Sequence, residues 1–250
     1  MSQLDLAMEA EISQRHLSFV ESGRAAPSRE MVLHLAEQLA IPLRQRNQLL
    51  LAAGFAPSFS ERPLTDTTLA PAMAAVETVL KGHEPFPALA VDRHWNLVSA
   101  NAAIAPFLAD ISETTLLAPP VNVLRLSLHP GGIAPRIVNL QEWRTHLLER
   151  LKHQNDATGD AVLVELEREL RSYPSGLKGS RPTPVEPNGI VHPLRLAHGD
   201  QVLSFISTIT VFGTPLDVTL SELAIESFFP ADEQTRSVLV RLAKERTERS

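Results

Sequence analysis

The first 54 residues carry helix start and stop signals so closely spaced that only short helices fit between them. Ser2 opens a Ser-x-x-Asp run to Asp5, a capping-box pattern that predicts a helix to about Ala10. Ser13 is a good N-cap for a second helix, and Ile12 and Leu17 stand at the spacing of a hydrophobic staple. Gly23 should stop that helix. Pro27-Ser28 restarts the chain, and Val32, Leu35, Ala36 and Leu39 then fall at i, i+3, i+4 and i+7, one buried stripe. Pro42 and Gly54 bracket a fourth helix, with Leu49, Leu50 and Ala53 on its apolar side. Such punctuation dictates a small all-helical head.

Two short helices joined by a tight turn, with a third packed beneath, have helix-turn-helix geometry. Ala7 is small where the first two would cross, and Leu17 and Val20 face inward. Gln14, Arg15 and Ser18 are left on the outer face near the start of the second helix, the part that enters a major groove. Glutamine pairs bidentately with adenine and arginine with guanine, each good pair worth about 1–3 kcal/mol of discrimination. Backbone amides at helix starts, with Gln3, Ser13, Arg24 and Ser28 close by, suit phosphates. A merely solvated face is the other reading of these positions.

The rest of the chain changes character. Residues 57–68, with Pro57 and Pro63, read as a linker, and residues 69–250 as a larger α+β body. Helices are expected from Leu69 to Gly82, from about Ala102 to Leu108, from Leu140 to His153 and from Asp160 to Arg171. Asp232 is the candidate cap of a last one. Ala88 to Val91 and Asn96 to Ala100 read as strands around a turn at Asp92-Arg93-His94. Pro193 to Ala197 and Val202 to Phe212 flank His198-Gly199-Asp200, a hairpin signal. In its second arm Leu203, Phe205, Ile209 and Val211 share the expected buried face. A proline-rich stretch, Ser172 to Gly189, carries Pro182, Pro184 and Pro187 and interrupts the body. The pattern predicts an antiparallel sheet with helices packed on one face.

Two resemblances follow from these residues. The run "SQLDLAMEAEISQRHLSFVESGRAAPSREMVLHLAEQLA" resembles the DNA-binding domain of Cro/repressor-like (XRE-class) regulators, through its Ser-Gln opening, its Ser-x-x-x-Leu-Ser-x-x-Glu-x-Gly-Arg helix and its Pro-Ser restart. Such domains normally open with a further helix, and Met1 stands where that helix would already have ended. A head of residues 1–56 without its first helix is therefore expected, exposing part of Leu4, Met8 and Leu33. Its five arginines against six acidic residues leave a net charge of −1, poor for phosphates. Either the start is misplaced or part of the DNA-binding domain is lost. The segments "VDRHWNLVSANAA", "NVLRLSLHPGGIAPRIVNLQEW" and "LSFISTITVFGTPLDVTLSELAIESFFPAD" look like the PAS-like ligand-binding domain of MmyB-like regulators. That resemblance implies a ligand-responsive body, and a long-chain fatty acid is the sort of guest such a body holds.

Composition removes other classes. The chain has no cysteine, which excludes disulfides, thiolate metal sites and a cysteine nucleophile. A net charge of −6 makes it no general nucleic-acid glue. No apolar run approaches a membrane span, and a soluble cytoplasmic protein is expected. Nine histidines invite a metal reading, but His94, His129, His146, His153, His192 and His198 lack ligand spacing. Ser204, His192 and Asp200 have no nucleophile elbow, so no catalytic site and no cofactor are expected. His129 to Gly132, "HPGG", reads as a surface turn rather than a phosphate loop. Phe86, Trp95, Phe107, Trp143, Phe205 and Phe212 are candidates to line a ligand cavity, with ordinary core as the other reading. Arg125 and Arg136, with Arg195, are candidates to clamp a carboxylate, or else to pair on the surface. The reading is a homodimeric, ligand-responsive regulator binding double-stranded operator DNA. The alternatives are a ligand-binding or dimerisation protein with a head too short for DNA, and an enzyme acting on a lipid-like substrate.

Overall fold

The computed structural model describes residues 2–174, 193–213 and 215–249. It divides into two compact units, Met1–Leu69 with Phe212–Ser221, and Ala70–Val211 with Glu222–Ser250. Residues 175–192, which include Pro182, Pro184, Pro187 and His192, lie outside the described residues.

The first unit holds α1 (Gln3–Glu9), α2 (Gln14–Glu21), α3 (Arg29–Gln38), α4 (Leu43–Ala52) and a short helix of the returning segment, Val218–Ser221. The serines act as caps. Ser2 and Asp5 complete a reciprocal capping box, with bonds of 2.9 and 3.2 Å. Ser13 Oγ accepts from His16 N–H and Ser28 Oγ from Met31 N–H, each at 3.2 Å. All four helices end alike, in a left-handed residue followed by a backbone bond spanning five residues: Ile12 to Ala7, Arg24 to Phe19, Ile41 to Ala36 and Phe55 to Leu50. The left-handed positions are Glu11, Gly23, Ala40 and Gly54, at φ 52°, 70°, 49° and 85°. Ala40 carries a Cβ where glycine is preferred, so Ala40→Gly should raise stability by about 0.5–1 kcal/mol in urea unfolding. No gain would mean that the α3 end is not held this way.

The segment expected to be a linker packs within this unit. Asn47 of α4 donates to Phe59 O at 2.8 Å and accepts from the Ser58 and Phe59 amides at 2.9 and 3.1 Å. Val218 N–H donates to Ser60 O at 2.8 Å, and Thr219 Oγ1 to Arg62 O at 2.6 Å. The core of the unit is small: Ala7, Leu17, Ala36 and Leu50 are buried, and His34 Nε2 ties α3 to Ala10 O at 2.9 Å. Leu4 and Met8 are exposed, whereas Leu33 is half-buried.

The second unit starts with α5 (Ala70–Gly82), β1 (Ala88–Val91), β2 (Leu97–Ala100), α6 (Ala105–Leu108) and α7 (Val123–Leu128). Then come α8 (Leu140–Thr158), α9 (Ala161–Ser172), β3 (Leu194–His198) and β4 (Gln201–Val211). With the Val218–Ser221 helix counted as α10, β5 (Ala224–Pro230) and α11 (Glu233–Arg249) complete the chain. The five strands form one antiparallel sheet of order β2-β1-β5-β4-β3. Its centre, β5, was not expected from the sequence. Its run Ala-Ile-Glu-Ser-Phe-Phe-Pro shows no alternation, because as a central strand it is covered on both faces around Ile225, Glu226 and Ser227.

Helices therefore cover the sheet on both faces rather than one. Every residue of β1 is buried. Ser99, paired with Ala90, donates to Glu77 of α5 at 2.6 Å, which puts α5 on that face. Leu89 points to the other, where α8 presents its stripe of Leu140, Trp143, Leu147 and Leu151 to the core. The β3–β4 hairpin turns through Gly199 and Asp200, with Gly199 at φ 57°. Its expected buried face holds only in part: Leu203 and Phe205 are buried, but Ile209 and Val211 are 44% and 59% exposed.

Candidate functional site

Two places carry the expected chemistry, and each lies within one unit. On the head, Ser13, Gln14 and Arg15 are exposed at the start of α2, one turn before the half-buried Ser18. Leu17 on the opposite side is buried and holds the helix down. The guanidinium groups of Arg15 and Arg24 lie 5.4 and 6.0 Å from the centroid of the Phe19 ring, so one aromatic ring contacts both cations. Gln3 is already engaged, donating to Glu21 at 2.5 Å. The Ser13 and Ser28 hydroxyls are used in capping.

In the body, a cavity of about 110 Å³ lies between the sheet and the helices of its α8 face. Leu89, Phe205 and Phe228 line it from the sheet; Phe107, Val123 and Leu147 line it from α6, α7 and α8. Phe107 and Phe205 meet edge to face at 5.9 Å, and Phe205 and Phe228 at 6.3 Å. Among the described residues that line it, only Ser127 and Glu226 are polar, apart from the indole N–H of Trp143, which donates to Ser127 Oγ at 3.1 Å.

Of the six aromatic residues expected here, Phe107, Trp143 and Phe205 line the cavity, and Phe86, Trp95 and Phe212 do not. Trp95 sits at φ 67° after the Asp92 turn. Its indole donates to Gln154 at 2.9 Å, and the Arg150 guanidinium stacks 4.3 Å from its ring. The expected carboxylate clamp is engaged elsewhere. Arg125 forms a forked pair with Glu169 at 2.8–3.0 Å, and Arg136 binds Asp110 at 2.9 Å and Phe107 O at 3.0 Å. Neither lines the cavity, and nor does Arg195.

The residue that sequence reasoning missed is Glu226. It lies on the unrecognised β5, opposite Leu89, and is 5% exposed. Arg150 Nη1 approaches its Oε1 at 3.5 Å. Burial pushes the Glu226 carboxyl above the usual carboxylate range, against the opposing pull of Arg150 and a hydrogen bond from Ser207. The signal was an acid in the middle of the otherwise largely apolar "LAIESFFP" segment.

The remaining motifs resolve structurally. His129 accepts from Gly131 N–H at 3.0 Å, and His94 meets Asp160 at 3.0 Å beside the start of α9. Among the described residues no cluster of side chains could hold a metal ion. Among the described residues no helix is long and apolar enough to cross a membrane.

Comparison with known families agrees with this layout. Residues 1–45 match a helix-turn-helix family model. Residues 72–242 match the MmyB-like transcription regulator ligand binding domain. No curated protein matches the chain. With well over half of its length matched by that domain, the chain belongs to the MmyB-like family of transcription regulators, with a helix-turn-helix at its N-terminus.

Proposed function

We propose that this protein senses an apolar small molecule in the body cavity and reads an operator with the head. The observation that carries the ligand half is the cavity itself: nearly all its lining is apolar, with two polar side chains at hand to orient a guest. Apolar cavities of this order stay dry and take up apolar guests. A fatty-acid-like chain fits such a lining. The antiparallel sheet clasped by helices supports the PAS-like reading of the body.

For the DNA half, Gln14, Arg15 and Ser18 read bases, while Ser13, Arg24, Ser28 and Gln3 approach phosphates, Gln3 after release from Glu21. The protein acts as a homodimer, whose reading helices must stand about 34 Å apart to meet successive major grooves. Ligand binding shifts that spacing or orientation, so occupancy of the cavity gates DNA binding.

The test is fluorescence anisotropy of the full chain on DNA from upstream of its own gene, over a salt series. Sequence-dependent binding that weakens steeply with salt supports the reading. Arg15→Ala should then lose about tenfold of preference for the operator over scrambled DNA, within the 1–3 kcal/mol of one bidentate base contact. Unchanged preference would remove Arg15 from base reading. Absence of any DNA binding would leave a ligand-binding or dimerisation role.

A further inference from the structure

Among the described residues, the cavity wall carries an acid and a hydroxyl but no cation. Glu226 supplies the acid, and its carboxyl is largely withdrawn from solvent. A carboxyl keeps acceptor lone pairs in either protonation state. Arg150 and Ser207 occupy part of that capacity, and Arg150 reaches Glu226 only at 3.5 Å while stacked on Trp95. Ser127 Oγ accepts the Trp143 indole N–H at 3.1 Å and keeps its own hydrogen to donate. The wall thus offers a guest an acceptor at Glu226 and a donor at Ser127.

We propose that the guest is an apolar molecule ending in a hydrogen-bond donor, an alcohol or an amine, which docks that head on Glu226. An ionised carboxylate is selected against. This rests on the reading of the cavity as the ligand site. An anion brought into this lining would be desolvated beside another acid, with Arg150 paired to Glu226 and stacked on Trp95, and Arg125 and Arg136 held by Glu169 and Asp110. An alcohol has a hydrogen for Glu226 and a lone pair for Ser127. An amine offers its hydrogens to Glu226.

The experiment measures binding of octanol, octylamine, methyl octanoate and octanoate to the full chain by calorimetry, with tryptophan fluorescence as a second readout, since Trp143 lines the cavity. Octanol or octylamine should bind at least about tenfold tighter than octanoate and methyl octanoate, the cost of one buried polar mismatch. The two donor heads separate a neutral from a cationic natural guest. Glu226→Gln keeps an acceptor and adds an N–H donor, so octanoate and the ester should approach octanol to within a few-fold. The melting curve of that variant shows that it folds. Octanoate binding as tightly as octanol, or an unchanged ranking in folded Glu226→Gln, would overturn the proposal and leave the ligand-binding reading standing. Failure of all four compounds to bind would overturn both.

Discussion

Leu151→Ala should lower the unfolding free energy of the body by about 2–5 kcal/mol. Leu151 has no exposed surface, and it lies on α8 in the same core as Leu163, Leu166 and Leu170 of α9. The loss has two parts, the transfer free energy of the removed carbons and the cavity left between helices that relax only partly. Val164 of α9, in the same unit, is the control. It is 52% exposed, so Val164→Ala should lose less than about 0.5 kcal/mol. Both tryptophans, Trp95 and Trp143, are in the body unit, so intrinsic fluorescence in urea follows that unit. A loss below about 1 kcal/mol at Leu151 would contradict the packing of α8 on α9.

Gly132→Ala should cost about 3 kcal/mol, at the upper end of what overpacking does. A Cβ on Gly132 would stand 2.3 Å from the carbonyl oxygen of Leu126. That oxygen cannot retreat freely, because it accepts the Ile133 amide at 2.9 Å at the end of α7. Gly131 is similarly confined, with Glu113 Cβ 2.5 Å from its own virtual Cβ and its carbonyl bonded to Glu113 N–H at 2.9 Å. The two glycines thus let a turn close against neighbouring chain. Gly82, with nothing within 4 Å of such a Cβ, supplies the contrast. Gly82→Ala should leave stability unchanged or raise it by up to about 1 kcal/mol. Equal effects at 82 and 132 would contradict the close approach at Leu126.

The head was the more legible half, because capping and stop signals are local. Ser2, Ser13 and Ser28 each bond the amide three residues on, as their spacing implies. The ends at Glu11 and Ala40 were hidden, since neither residue advertises a left-handed conformation. In the body, helices with an apolar stripe, such as α8 and α9, were readable. β5 was not, because burial on both faces erases the alternation that marks a strand, and with it went Glu226. The aromatic candidates show the other limit. Periodicity identifies side chains that will be buried, but it cannot say whether a buried ring meets a cavity, as Phe107, Trp143 and Phe205 do, or a neighbouring guanidinium, as Trp95 does. For Arg125 and Arg136 the partners Glu169 and Asp110 are 44 and 26 residues distant in sequence. Such pairings depend on tertiary structure that no local pattern encodes.

The central claim is that a molecule in the body cavity changes how the head binds DNA. The most direct measurement is the anisotropy isotherm of the full chain on its operator, with and without saturating octanol, alongside calorimetry of octanol binding with and without operator. The account predicts that octanol shifts the DNA dissociation constant by about 5–150-fold, and that operator shifts the octanol constant by the same factor, as linkage requires. Identical DNA isotherms with the cavity demonstrably filled would contradict it.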